Sequence, residues 1–299
     1  MPNSMRRDYQ TLLTISPPSF RITCYTILKE EEVIMTTPWQ KEWNRMQRQE
    51  YEYLQKGRFR KESRLNRLLE KHIPDALQDK LDLAFSKAFE LIFEKGTGVI
   101  EKTYNKNGIE ESFVEEREEA LSRGDRESLR HISNKAGAAG GRNLLFSGGA
   151  GIGMGILGVG LPDIPLFTAT MLKGIYEIAL HFGYSYDTPQ EKYFILRIIE
   201  ASLCCGKELD KQNAQINRFL DRPELPKDYD QRAQIRKSSA ALSTELLYMK
   251  FLQGVPVVGA VGGAYDAIYM NKITKYAQLK YHRRFLIDHS DPLDGPALA

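Results

Sequence analysis

The sequence predicts an all-α fold, a multi-helix bundle whose central helices are glycine-rich and tightly packed. Three observations carry this. Apolar residues recur at helical spacing in one segment after another, helix start and stop signals are frequent, and no run of alternating strand residues occurs after residue 35.

The first helix opens on Thr37-Pro38-Trp39-Gln40, where Thr37 can cap, Pro38 suits the first helical position and Gln40 completes a capping box. Trp39, Trp43, Met46, Tyr53 and Leu54 lie on one face, with charge opposite, and Gly57 marks the stop. A helix is expected over Ser63 to Lys71. Another opens at Pro74, carries Leu77, Leu81, Phe85, Ala88, Phe89 and Ile92, and ends at Gly96 and Gly98. After the turn at Asn105-Lys106-Asn107-Gly108, a charged helix is expected near Glu110 to Arg123. Gly124 ends it, and Asp125 caps the next one, which carries Leu129 and Ile132. Pro165 starts an apolar helix running to Gly183, with Lys173 and Glu177 spaced to pair. Thr188-Pro189-Gln190-Glu191 is a second capping box. It opens a helix with Phe194, Ile195, Ile198, Ile199 and Leu203 that ends at Gly206. A polar helix follows to about Asp221, and Pro223 and Pro226 mark a short linker. The last helical stretch starts near Asp230, breaks at Gly254-Val255-Pro256 and resumes to about Ile287.

Residues 1–36 carry Pro17-Pro18 and Glu30-Glu31-Glu32 without a helical period, and read as an extension or loose tail, with Met35 a candidate initiator. The organisation expected is a single helical domain over 37–287, followed by a disordered tail over 288–299. A net charge of +3, with basic and acidic residues interleaved, gives no argument for nucleic acid. Three cysteines, two of them adjacent, are no disulfide framework, and a cytoplasmic setting is the simpler reading. Cys204 and Cys205 are read as core residues of an apolar helix. The five histidines form no close ligand pair, and no metal site or other cofactor is expected.

Ten of the 23 glycines lie between Gly137 and Gly160, and the 20 residues between Arg142 and Asp163 carry no formal charge. Gly153-Met-Gly155-Ile-Leu-Gly158 spells a dinucleotide-binding pattern. That site needs a strand ahead of the loop, and the preceding sequence reads as helix and small residues. Close helix packing explains the run better. Gly149 and Gly153, Gly151 and Gly155, and Gly259 and Gly263 are each four apart, the spacing that lets backbones approach. Three fates remain open for these segments: a buried core, a reversible or hairpin-like membrane association, or a stable span. Asp163 and Asp266 sit in apolar surroundings. They read as a cation- or proton-handling pair, or as structural groups, Asp163 capping the helix that Pro165 starts. The basic clusters at Arg58 to Arg67 and at Lys280 with Arg283-Arg284 read as solvated helix faces, open to anionic headgroups.

Several of these pieces together resemble the EcsC family. They are Gly160-Leu-Pro-Asp-Ile-Pro165, Tyr176-Glu-Ile-Ala179, Phe182-Gly-Tyr184 and Asp187-Thr-Pro-Gln-Glu191, then Gln253-Gly-Val-Pro256 with Gly259-Ala260 and Gly262-Gly263, and finally Arg283-Arg284-Phe285-Leu286. The resemblance spans about residues 38–287. It implies a helical fold and a membrane-adjacent setting, since the family is named for a gene associated with a bacterial ABC-exporter operon, and it carries no catalytic residue across.

Two functions follow as expectations. One is a non-enzymatic accessory protein, peripheral at the inner face of the plasma membrane, that meets the membrane or a transporter-like partner through its glycine-rich helices. The other is a soluble helical enzyme or ligand-binding protein with a pocket near Asp163, Glu177 and Asp266.

Overall fold

The computed structural model describes residues 37–58, 75–95, 98–145, 163–253 and 262–289. Among them the chain forms helices α1 (Pro38–Arg58), α2 (Asp75–Lys95), α3 (Gly98–Glu101), α4 (Lys106–Arg123) and α5 (Arg126–Leu145). It continues with α6 (Asp163–His181), α7 (Pro189–Leu203), α8 (Gly206–Asp221), α9 (Gln231–Gln253) and α10 (Gly262–Asp288). No strand occurs among the described residues. The helix expected over Ser63 to Lys71, the extension 1–36 and nearly all of the tail 288–299 lie outside them, as do Gly149, Gly151, Gly153, Gly155, Pro256 and Gly259.

Local chemistry sets most boundaries. Thr37 and Gln40 exchange hydrogen bonds in both directions at 3.2 Å, a complete capping box. Asn105 accepts from the Gly108 N–H and starts α4 four residues earlier than the charge pattern suggested. Gly124 ends that helix in the left-handed region, and Asp125 accepts from the Ser128 N–H at 2.8 Å to start α5. Helix α6 begins at Asp163 itself, so Pro165 lies inside its first turn and is buried. Asp163 is therefore a helical residue rather than the residue ahead of one. Helix α10 holds both Gly263 and Asp266 in its first turns.

Buried side chains from Trp39 to Leu286 join one hydrophobic core. At its centre are α6 and α7, where Ile175, Tyr176, Phe194, Ile195 and Ile198 are fully buried.

The contacts between helices fix their directions. Tyr53 stacks on Tyr276 at 5.0 Å and Trp39 on Phe285 at 6.0 Å, so α1 runs antiparallel to α10. Arg126 and His282 both approach Glu42, while Gln278 donates to the Ser133 carbonyl, so α5 is antiparallel to α10 as well. Phe182, just past the end of α6, packs on His282 and Phe285, which makes α6 parallel to α10. Gln78 meets Ser243 and Glu94 meets Arg232, so α9 is antiparallel to α2. Phe85 packs on Phe167, and Lys173 reaches the Thr103 carbonyl, so α2 is parallel to α6. In consequence the C-terminal ends of α1, α5 and α9 and the N-terminal ends of α2, α6 and α10 gather at one pole of the bundle.

Candidate functional site

The polar interior is built around Glu50 on α1. A carboxylate on a mostly polar helix face would ordinarily meet water, but here α8 and α10 close over it and leave it 6% exposed. Its Oε1 accepts from Lys280 Nζ at 2.7 Å, Asn213 Nδ2 at 2.8 Å and Asn217 Nδ2 at 3.0 Å, and its Oε2 accepts from Arg283 at 3.1 Å. Lys280 also donates to Asn217 Oδ1 at 2.7 Å, and Tyr276 donates to Asn213 Oδ1 at 2.9 Å. Burial alone would push the Glu50 carboxyl up. The Lys280 ammonium and the Arg283 guanidinium overcome it and hold the group well below the carboxylate range. Burial lowers Lys280 to about 8 against the pull of Glu50. Arg283 also lies over the Trp43 ring at 5.0 Å.

The solvated face expected for Lys280 and Arg283 is thus corrected: both are buried, at 0% and 2% exposure, because α1 brings a carboxylate to meet them. Arg284, the third basic residue of that cluster, is half-buried. It pairs with Glu191 at 2.6 Å and lies over the Tyr184 ring at 3.9 Å.

Glu191 departs from its expected place too. Thr188 caps α7 by accepting from the Glu191 N–H at 3.2 Å, with Pro189 at the first helical position, but the Glu191 carboxylate does not turn back to complete the box. It accepts from Tyr281 at 2.5 Å and from Arg284, which ties α7 to α10. Burial raises its pKa, with Arg284 and Tyr281 opposing the rise. Gly183 takes φ +79° in the turn after α6, and an added Cβ would strike the Phe113 ring. Glu177 is buried and lies 3.9 Å from Lys173, the pair its spacing suggests. Cys204 and Cys205 are half-buried in the break between α7 and α8 rather than within an apolar helix.

The acids expected to share a pocket are Asp163, Glu177 and Asp266. Asp163 and Glu177 are at opposite ends of α6, about 21 Å apart at 1.5 Å per residue. Among the described residues no group of three His, Cys, Asp or Glu is placed to hold a metal ion.

A groove of about 520 Å³ opens elsewhere, between α1 and α10, with the start of α8 and the α7–α8 break beneath it. Tyr53, Leu209, Ile268 and Leu279 provide apolar walls; Lys56, Lys272 and Lys275 provide cations. His282 lines it as well, and its Nε2 has no hydrogen-bond partner among the described residues. Sequence reading missed both Glu50 and this groove. The one available signal was spacing. Ile268, Lys272, Lys275, Leu279 and His282 recur at helical intervals and so share one face of α10.

Among the described residues no helix is long and apolar enough to cross a membrane. The described helix ahead of the Gly153-Met-Gly155-Ile-Leu-Gly158 run is α5, which ends at Leu145; the run itself lies outside the described residues. No curated protein and no solved structure matches the chain with significance. The EcsC protein family does match, over residues 40–286, and this chain belongs to it.

Proposed function

We propose that the protein is a non-enzymatic accessory protein that docks one pole of its bundle on an anionic membrane surface, at the inner face of the plasma membrane. The observation that carries this reading is the common pole. Three pairs of successive helices end and begin there, α1 and α2, α5 and α6, and α9 and α10, and the stretches 59–74, 146–162 and 254–261 join them in sequence. The first holds five basic residues against two acidic ones, and the other two hold no charge at all. Cationic and uncharged apolar sequence is therefore tethered to the same end of the molecule, the combination that peripheral membrane binding uses. The described interior, by contrast, directs its charges at one another. Glu50, Lys280, Arg283, Glu191 and Arg284 all have partners within the bundle, which supports a structural role for them over catalysis.

The net charge of 59–74, at about 1 kcal/mol per basic residue near an anionic surface, amounts to a few kcal/mol and is removable by salt. Glycine adds little apolar transfer energy, so stable insertion is not expected. Liposome flotation tests this. The protein should float with anionic vesicles at low salt and be released as ionic strength rises. Absence of flotation on any lipid would refute direct docking and leave a transporter-like protein partner. Flotation that resists salt would show instead that the apolar stretches insert.

A further inference from the structure

We infer that the α1–α10 groove is a binding site for a single-chain anionic amphiphile, an aliphatic tail bearing one negatively charged head. The inference goes beyond membrane docking, because it concerns one bound molecule at a site formed by described side chains.

The volume of about 520 Å³ falls in the range of small-molecule sites, roughly 300–1,000 Å³. Its chemistry is divided. Leu209 from α8, Leu279 from α10 and the Tyr53 ring offer an apolar surface suited to a methylene chain. Ile268, 54% exposed on the same face of α10, extends that surface to the mouth. The charge is one-sided, with Lys56, Lys272 and Lys275 lining the groove against Glu52 alone. The packing brings these lysines level. Tyr53 stacks on Tyr276, and α1 and α10 run antiparallel. Lys56, one turn on along α1, therefore stands opposite Lys272, one turn back along α10. Lys272 already donates to the Leu203 carbonyl at 3.1 Å, which holds its stem in the groove wall. Lys56 and Lys275 are exposed and positioned to meet a carboxylate or phosphate head.

Two further titratable groups of the lining carry no charge that would compete for that head. Burial pushes the Cys204 thiol up to about 11, so it stays neutral, and burial lowers His282 to about 3, so its imidazole is neutral too. His282 is 2% exposed and its Nε2 lies 3.7 Å from Glu42 Oε1, outside hydrogen-bonding distance. An anion without a tail would leave the apolar walls uncovered, and a tail without charge would bring no anion to Lys56 and Lys275. The groove suits the two together.

The test is calorimetric titration of the full-length protein with decanoate below its micelle threshold, alongside decanol and inorganic phosphate. Decanoate should bind one-to-one. Decanol should bind about tenfold more weakly or less, and phosphate should give no saturable heat. The double substitution Lys56→Glu/Lys275→Glu, at two exposed positions, should weaken decanoate about tenfold or more with an unchanged melting temperature. Leu279→Trp, which fills the groove, should do the same, while Lys41→Glu at the far end of α1 should have no effect. The inference is overturned if decanoate shows no saturable binding, if decanol or phosphate binds as tightly, or if the charge-reversed protein keeps its affinity. No vesicle is present, so failure here leaves membrane docking standing, and failure of flotation leaves the groove standing.

Discussion

Replacing Glu50 by glutamine should be among the most damaging single changes in this bundle, and worse than removing either of its cationic partners. Glu50→Gln keeps the shape but takes the charge away from Lys280 and Arg283, which are both buried and both bonded to it. Breaking a buried ion pair from one side costs about 3–5 kcal/mol, chiefly because the surviving charge is left in a poor dielectric. Two buried cations lose their shared carboxylate at once here, so the upper end applies. Lys280→Met, by contrast, leaves the carboxylate with Arg283 and the amides of Asn213 and Asn217, so its loss belongs near the lower end, about 3 kcal/mol. The double variant supplies the stringent comparison. With Glu50 already neutral, removing the Lys280 ammonium relieves an unpaired buried charge, so the two losses should fall short of additive by about 1–3 kcal/mol. Urea denaturation followed by far-ultraviolet dichroism reads this directly. For a chain of this size the Glu50→Gln loss corresponds to a fall in melting temperature of about 8–10 °C. The reasoning is refuted if Glu50→Gln stays within about 1 kcal/mol of the parent, if Lys280→Met is the more damaging, or if the two losses simply add.

Gly183→Ala should cost more than about 2 kcal/mol, because the left-handed backbone already disfavours a side chain and the new methyl meets the Phe113 ring; an unchanged urea midpoint would contradict this. Gly137→Leu should destabilise by about 1 kcal/mol, since a Cβ there would lie 2.5 Å from Gln278 Nε2 and moving that amide aside breaks its hydrogen bond to the Ser133 carbonyl between α5 and α10; a parental melting curve would contradict this. Stability should also fall as pH drops below 6.5. The unfolded His282 takes up its proton near that value, whereas in the fold burial, and then Arg45, lowers its pKa to about 3, so the unfolded chain binds the extra proton in between. His289 is lowered as well, so His282→Phe should flatten part of the slope between pH 6.5 and 4.5, and an identical slope in that variant would remove His282 as its source.

Much of the architecture was legible because helix ends are decided locally. Thr37 with Gln40, Asp125, Thr188 with Pro189 and the glycines at 124 and 183 act within a few residues of themselves, and each stands at the boundary its chemistry implies. The apolar periodicity of α1, α2 and α7 pointed to the core for the same reason: spacing along one helix fixes which side chains share a face. The order of motifs from Gly160 to Leu286 identified the family without any knowledge of contacts.

What tertiary structure alone decided is where charge goes. Lys280 and Arg283 look like surface residues until α1 delivers Glu50 from 230 residues away, and nothing near either cation in sequence announces that meeting. Glu191 had a local partner available in Thr188 and took Tyr281 and Arg284 instead, because a buried carboxylate gains more from a cation and a phenol across the bundle than from one backbone N–H. Helix directions likewise emerge only from packing, and with them the single pole at which α1, α5 and α9 end and α2, α6 and α10 begin. Local propensity acts over a turn or two of helix, whereas burial of a charge depends on which other helix arrives to neutralise it. The sequence therefore determined the helices and the family, and the fold determined which of its charges became interior and which stayed at the surface.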